Sequence, residues 1–417
     1  MAMKIVDLFA GCGGLSLGFQ NAGFDVVAAY DFWQPAVNVY RDNFTSHSIY
    51  QMDLSDVDAA VRHIRPFAPD MIIGGPPCQD FSHAGKRQEG KRASLTEAYA
   101  KIVSSISPEW FVMENVDRAQ QSDAYSNARS IFKAAGYGLT EHVYDASLCG
   151  APQKRKRFIC VGKKGEQDDF MLKLIEENEA SKPMTMRDYF GNKLGIDYYY
   201  RHPRNYSRRG FFSMDEPSPT IRGVNRPVPS GYTRHHNDPE CIDGLRPLTT
   251  EERAQVQTFP ADFNLCGSKT DLEQIIGNAV PVKLAEFVAK RIVDFCNKDN
   301  ASYLVELKNW LITEKKMAQS SAKDVLSRIN RVLAMTSFVS TDSTIDVVYR
   351  LAKHPAYEEL SPSVKSQIKR AVALYFEFAL QLSEKKNTLD ANITQSAEID
   401  RLYRQSRKTK QAELNLV

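Results

Sequence analysis

Lys4-Ile5-Val6-Asp7-Leu8-Phe9-Ala10-Gly11-Cys12-Gly13-Gly14 reads as a short buried strand running into a glycine-rich turn. Leu15 to Ala22 is helical in pattern, and Gly23 supplies its stop. Phe24 to Tyr30 then reads as a second strand, ending at Asp31. Strand, glycine turn, helix, strand and acid make a nucleotide-binding βαβ opening, and an acid at that place suits a ribose diol. A dinucleotide fingerprint would need a third glycine at position 16, where Ser16 stands. The nicotinamide reading is therefore weak.

The chemistry lies further along. Met71-Ile72-Ile73 is a buried strand, followed by Gly74-Gly75-Pro76-Pro77-Cys78-Gln79-Asp80-Phe81-Ser82. The prolines stiffen that loop and hold the residues before them extended. Cys78 falls just past a strand end, where open α/β sheets bind their ligands. It is read as a nucleophile. The polar run His83 to Arg92 reads as a loop able to close over a phosphate backbone. Trp110 to Met113 is another buried strand, ending in Glu114, so a carboxylate stands at a second strand terminus of the same sheet. In Gln153-Lys154-Arg155-Lys156-Arg157-Phe158-Ile159, Arg155 and Arg157 alternate into an apolar strand, which points both to one face. Charges there are costly unless paired or used. Asp53, after another short extended piece, is placed to accept from an adenine amino group.

The remaining composition sets limits. The 417 residues predict two or three domains. Seven cysteines, at 12, 78, 149, 160, 241, 266 and 296, form no Cys-x-x-Cys pair, which points to free thiols in a reducing cytoplasm. No apolar run reaches the roughly 20 residues of a membrane helix, and the N-terminus enters a strand with no basic segment before it, so no signal peptide is expected. Residues 301–417 hold 18 Lys+Arg against 13 Asp+Glu, so the basic part is the tail. Residues 165–245 are rich in Tyr, Arg, Pro, Gly and His with little periodicity, a composition suited to contacts with phosphates and bases. His235, His236 and Cys241 fit no common zinc spacing, and no metal is expected. Thr249 to Thr258 is a capped helix, and Lys283 to about Asn297 an amphipathic one. Lys298-Asp299-Asn300 reads as a junction. Helical spacing then recurs over Leu304–Leu311, Ser321–Leu333, Thr344–Ala352 and Ser363–Leu382, ahead of a basic end.

Taken together, six stretches resemble the DNA (cytosine-5) methyltransferases, most closely the bacterial modification enzymes. They are Asp7 to Gly14, Gly74 to Ser82, Glu114-Asn115-Val116, Gln153 to Arg157, Arg246-Pro247-Leu248-Thr249 and Gly277-Asn278-Ala279-Val280-Pro281. The match runs from residue 4 to about 296 in the family's order. It implies an α/β fold, a doubly wound Rossmann-like domain for S-adenosyl-L-methionine, with a small loop-rich target-recognition domain and a C-terminal helical bundle. The implied bounds are 1–164 and 246–297 for catalysis, 165–245 for recognition, 301–385 for a bundle whose role is not readable, and 386–417 for a basic tail.

The resemblance also implies roles. Cys78, Glu114, Arg155 and Arg157 would be catalytic. Phe9 would stack on the adenine, Asp31 hold the ribose, and Asp53 accept from the adenine amine. Ala10, Gly11, Cys12, Gly13, Gly14, Leu15, Phe32, Leu54, Pro76 and Leu95 would line the same pocket, with Asn278 and Val280 at the methionine end. Gln79, Ser82 and Arg87 would fill the gap left by a flipped base and grip phosphate, and Arg222 and Arg226 would read guanine. The family usually has Glu and Trp where Asp31 and Phe32 stand, and Arg-Gly where Arg92-Ala93 stands. The partners implied are double-stranded DNA and, through a shared target site, a restriction endonuclease, with the enzyme a monomer on DNA and no membrane. Two readings stay open beside this one: a tRNA cytosine-5 methyltransferase of the same fold, and a catalytically inactive DNA-binding protein.

Overall fold

The computed structural model describes residues 3–77, 95–203, 208–240, 242, 244–336 and 343–382, with side chains over the same residues except 298–302. Cys78, Gln79, Ser82 and Arg87, and the tail 386–417, lie outside the described residues. The chain divides into two compact units, Ala2–Cys296 and Asn297–Val417 together with Met1.

In the first unit the strands are β1 (Lys4–Leu8), β2 (Asp25–Asp31), β3 (Ser48–Gln51), β4 (Met71–Gly74), β5 (Trp110–Val116), β6 (Tyr137–Asp145), β7 (Gln153–Lys154), β8 (Lys156–Lys164), β9 (Tyr198–Tyr200), β10 (Phe211–Ser213) and β11 (Ser218–Pro219). The helices are α1 (Gly14–Asn21), α2 (Gln34–Asn43), α3 (Val57–Ile64), α4 (Leu95–Ile106), α5 (Asp123–Ala134), α6 (Leu172–Glu176), α7 (Met186–Phe190), α8 (Thr250–Val256) and α9 (Lys269–Asn278), followed by α10 (Val282–Thr313).

Seven strands form the central sheet in the order β3-β2-β1-β4-β5-β8-β6. The run from β3 to β5 is parallel, and β8 is antiparallel to both of its neighbours. Strand order reverses at β1, which opens a crevice at the carboxyl ends of β1 and β4. Successive residues serve opposite faces. Ile5, Met71, Ile73, Trp110 and Val112 pack with Leu15 and Phe19 of α1 and Leu284, Val288 and Ile292 of α10. Val6, Leu8, Ile72, Phe111 and Met113 pack with residues of α3, α4 and α5, among them Ile64, Tyr99, Ile102 and Phe132. Because both faces are covered, these strands read in the sequence as continuous apolar runs rather than as alternation.

The described part of 165–245 holds α6, α7 and three short strands. Its Met186, Phe190, Tyr199, Met214 and Ile221 share one apolar cluster with Leu248, Val256, Leu272, Ile275 and Ile276. β11 pairs in parallel with β7, Ser218 opposite Gln153, and so joins this region to the residues that lead into β8.

The second unit contains the end of α10, then α11 (Gln319–Leu333), α12 (Thr344–Leu351), α13 (Pro355–Glu358) and a helix over 362–382. Leu307, Trp310, Leu311, Val325, Ile329, Val332, Leu351, Ile368, Val372 and Phe378 form its core. Lys298-Asp299-Asn300 does not end a helix as the sequence reading expects: α10 is continuous from Val282 to Thr313, and Leu304–Leu311 is part of it. The three residues include neither glycine nor proline, and each costs a helix less than about 1 kcal/mol relative to alanine. Among the described residues no helix is long and apolar enough to cross a membrane.

Candidate active site

The first half of the site is the turn between β1 and α1. Phe9 has φ 58, a left-handed conformation that is strained for a residue with a side chain and so concentrates at functional sites. The Gly11 N–H donates to Asp31 Oδ2 at 2.8 Å, and the Trp33 N–H donates to Asp31 Oδ1 at 2.8 Å. Burial pushes the Asp31 carboxyl up, and these N–H groups pull against it. Phe32 beside it is 67% exposed, an unusual state for a large aromatic. Asp53 is exposed and accepts from the Ser55 N–H at 3.0 Å, while Leu54 is buried. Ala10, Cys12, Gly13, Gly14 and Leu15 are buried in the turn and the start of α1. A Cβ on Gly11 would meet nothing within 4 Å, so the turn is open at that residue, whose N–H donates to Asp31. An aromatic ring, a carboxylate held by backbone donors and an open turn suit an adenosine, and S-adenosylmethionine fits the residues present.

The floor of this half comes from the far end of the first unit. A Cβ on Gly14 would stand 2.2 Å from the Val280 carbonyl oxygen, so the start of α1 lies directly on that residue. Asn278, the last residue of α9, is exposed, and its Oδ1 accepts from Gln274 Nε2 at 3.2 Å. Gly14→Ala is expected to force α1 off Val280, at about 1–3 kcal/mol. Thermal melts with and without S-adenosylhomocysteine check this. The melting temperature should fall, and the ligand-induced rise should shrink.

Beneath the turn lies a residue that strand patterning alone does not single out. Asp7 is fully buried, and burial raises its carboxyl from 3.8 to about 7. Ser16, at the position of the missing third glycine, donates its hydroxyl to Asp7 Oδ2 at 2.6 Å. Tyr40 continues the chain at 2.8 Å from Ser16 Oγ and 2.6 Å from His47 Nε2. A raised folded-state pKa means that the native state binds this proton more tightly than the unfolded chain. The resulting stability is present below the unfolded value of 3.8 and is lost as pH rises to about 7. Asp7→Asn should remove that slope. The wild-type minus Asp7→Asn stability difference should shift by up to roughly 4 kcal/mol across the window. Urea unfolding at several pH values measures it, and parallel profiles would contradict the assignment.

The second half depends on the reversed direction of β8. Because β8 runs against β5, its first residues lie at the carboxyl end of β5, with Arg157 opposite Val116. Arg157 Nε lies 2.8 Å from Glu114 Oε1, with both side chains nearly buried. Burial pushes the Glu114 carboxyl above its ordinary value, against the pull of Arg157 and then Arg155. The stem of the Cys78 loop closes on this pair. A Cβ on Gly75 would stand 2.9 Å from Glu114 Oε2, and Asn115 Nδ2 donates to the Pro76 carbonyl at 3.0 Å. Leu95 begins α4, half-buried. The buried thiols Cys12 and Cys160 are both pushed up to about 12, far from a nucleophile's range near neutral pH.

Arg155 and Arg157 have different partners. Arg155 lies between β7 and β8 rather than in a strand, and it is 1% exposed. Its guanidinium donates to the carbonyls of Ile221 at 2.9 Å, Gly277 at 2.9 Å and Ala279 at 3.0 Å. Chain path explains the difference: strand alternation applies only within β8, which starts at Lys156. Arg222 donates to the His202 carbonyl, and Arg226 is exposed. Three further residues emerge only in three dimensions. Gln257 donates to the Ile276 carbonyl at 2.6 Å, and Arg253 pairs with Glu273 at 2.8 Å, each 5% exposed.

A crevice suited to an adenosine cofactor and a buried acid–arginine pair lie at neighbouring strand ends of one sheet, the layout of a nucleotide-cofactor enzyme. The family model for C-5 cytosine-specific DNA methylase matches residues 3–294. Over 296 residues the chain is 54% identical to the type II methyltransferase M.HindV of Haemophilus influenzae, covering 70% of this chain and 97% of that protein. Over 303 residues it is 52% identical to M.HgiDI of Herpetosiphon aurantiacus, covering 72% of this chain and 98% of that one. The crystal structure of the Schizosaccharomyces pombe Dnmt2 methyltransferase superimposes with a TM-score of 0.52 at 18% identity, covering 71% of this chain and all of that one, a likeness of fold. The chain belongs to the C-5 cytosine-specific DNA methylase family, whose members use S-adenosylmethionine.

Proposed function

We propose that this chain methylates C5 of a flipped cytosine in duplex DNA through a covalent adduct on Cys78, protecting host DNA within a type II restriction–modification system. The observation that carries the reading is the buried Glu114–Arg157 pair beside the Gly75-Pro76 stem of the Cys78 loop. The type II modification names of M.HindV and M.HgiDI support the biological setting.

Phe9, Asp31 and Val280 would hold the cofactor, which when bound would supply an electrophilic methyl group. The chain's own residues make C5 able to accept it. Cys78 adds as thiolate to C6 and turns C5 into an enamine-like carbon. Glu114, its carboxyl raised by burial, holds a proton at N3 and accepts from the exocyclic amine, so the ring tolerates the attack. Arg157 sets a positive charge beside that carboxyl, and it favours the thiolate and the cytosine O2. Removal of the C5 proton and elimination then free Cys78. None of this is possible inside a stacked duplex, so the base is extruded. Gln79, Ser82 and Arg87 fill the gap and hold the backbone, while Arg226 and Arg222 read guanine. The enzyme works as a monomer on DNA, in the cytoplasm, and meets its partner endonuclease only through a shared target sequence.

Purified full chain with radiolabelled S-adenosylmethionine, offered duplex DNA and tRNA separately, tests the reading. Label should enter the DNA. Labelling of tRNA alone would overturn it in favour of the RNA enzyme, and labelling of neither would favour the inactive binding protein.

A further inference from the structure

Arg155 sits where two parts of the first unit meet. One is the stretch 221–225, in the region proposed to read DNA. The other is the turn Gly277–Val280, proposed to hold the methionine end of the cofactor. One buried guanidinium binds the carbonyls of Ile221, Gly277 and Ala279. Gln153 repeats the link: its Oε1 accepts from the Ile221 N–H at 2.8 Å, and its Nε2 donates to Gln257 Oε1 at 2.8 Å. Gln257 in turn donates to the Ala279 carbonyl at 3.1 Å. The backbones themselves touch, since a Cβ on Gly277 would stand 2.3 Å from the Gly223 nitrogen. Arg253 ties the same stretch from the other side, donating to the Val224 carbonyl at 3.2 Å and pairing with Glu273.

We infer that Arg155 is a positioning residue: with Gln153 and Gln257 it fixes the base-reading stretch 221–225 against the cofactor turn 277–280. This rests on the proposed function, which makes those two stretches the reading and methyl-donor sides. The two terminal nitrogens of this buried guanidinium donate to backbone carbonyls from both sides, while its Nε is left without a partner. The planar fork suits this, and lysine cannot reproduce it from one ammonium. Arg155 also has no donor contact with Glu114, whereas Arg157 does. Its hydrogen bonds serve geometry, and its charge adds only the weaker of the two arginine pulls on the Glu114 carboxyl.

The test has two arms on the full-length chain. In the first, hydrogen exchange of the wild type is followed with and without S-adenosylhomocysteine. Slower exchange over residues 9–15 reports binding, and the inference requires slower exchange over 221–225 as well. Protection at 9–15 with none at 221–225 would overturn the inference, whereas no protection at 9–15 would count against the proposed cofactor site. In the second arm, Arg155→Lys is assayed on a duplex carrying the site mapped by sequencing methylated host DNA. Both KM values, for the duplex and for S-adenosylmethionine, should rise about tenfold, while the single-turnover rate at saturation of both stays within about threefold of wild type. A single-turnover rate lower by about 100-fold with unchanged KM values would make Arg155 a catalytic residue and sink the proposal. Unchanged kinetics throughout would also sink it. Should Arg155→Lys lose its cooperative melt, Gln257→Asn, too short to span Gln153 and the carbonyls of Ile276 and Ala279, takes its place with the same expected split.

Discussion

Cys78→Ala is expected to lose methyl transfer by on the order of 10⁴-fold or more. C5 of cytosine is a poor nucleophile, and in the proposed reaction only addition at C6 makes it reactive. Among the described residues, burial pushes the Cys12 and Cys160 thiols up to about 12, away from a nucleophile's range. The loss should fall on the chemical step alone. Duplex affinity by gel shift and S-adenosylhomocysteine affinity by calorimetry should stay within a few-fold of wild type. In the wild type with S-adenosylmethionine present, a duplex with 5-fluorocytosine at the target should form a complex that survives denaturing electrophoresis, because after methyl transfer the C5 fluorine cannot leave as a proton. Cys78→Ala should form none. Residual methylation by Cys78→Ala above a few per cent would rule out the covalent route.

Glu114→Gln is expected to lower the single-turnover rate by about 10²- to 10⁴-fold, the usual range for removing a positioned proton donor. The amide keeps the size and the hydrogen-bonding edge of the carboxyl but cannot hand a proton to N3. It also leaves Arg157 without its 2.8 Å ionic partner, so some loss of stability accompanies the loss of rate. The two effects separate by measurement: single-turnover rates at saturating substrates report the first, and urea unfolding reports the second. The pH dependence has a definite sign. Burial raises the Glu114 carboxyl, so its protonated form persists to higher pH than a surface glutamate allows. The wild-type rate should fall as pH rises through that raised value, and in Glu114→Gln that limb should be absent. A Glu114→Gln enzyme with wild-type rate would remove Glu114 from the chemistry.

The parts of the site legible in the sequence were those built by local pattern. The apolar residues of 4–8, 71–73 and 110–113 mark strands covered on both faces, and Glu114 follows directly on the last of them, near the carboxyl end of its strand. Asp31 and the glycine turn could be placed because a βα turn has few ways to present a backbone to a nucleotide. The parts that were not legible depend on contacts between residues far apart in the chain. Arg155 binds carbonyls 66, 122 and 124 positions away, and nothing in its neighbours marks it off from Arg157. Ser16 looked like a missing glycine, and only the buried Asp7 beneath it explains the hydroxyl. The reversal of β8 is a matter of topology, although it alone carries Arg157 to Glu114. Lys298-Asp299-Asn300 reads as a junction, and the boundary between the two compact units does fall beside it, at 296/297, but the helix runs on because none of the three residues is glycine or proline.

In the proposed function this chain places methyl groups on C5 of cytosine in duplex DNA at a defined sequence. Expression of the intact gene in a bacterial host without cytosine methylation, followed by base-resolution sequencing of the host DNA, tests it most directly. 5-Methylcytosine is expected at one recurrent sequence throughout the genome, and none when the gene carries Cys78→Ala. Host DNA free of 5-methylcytosine, from cells that accumulate the folded wild-type protein, would contradict it.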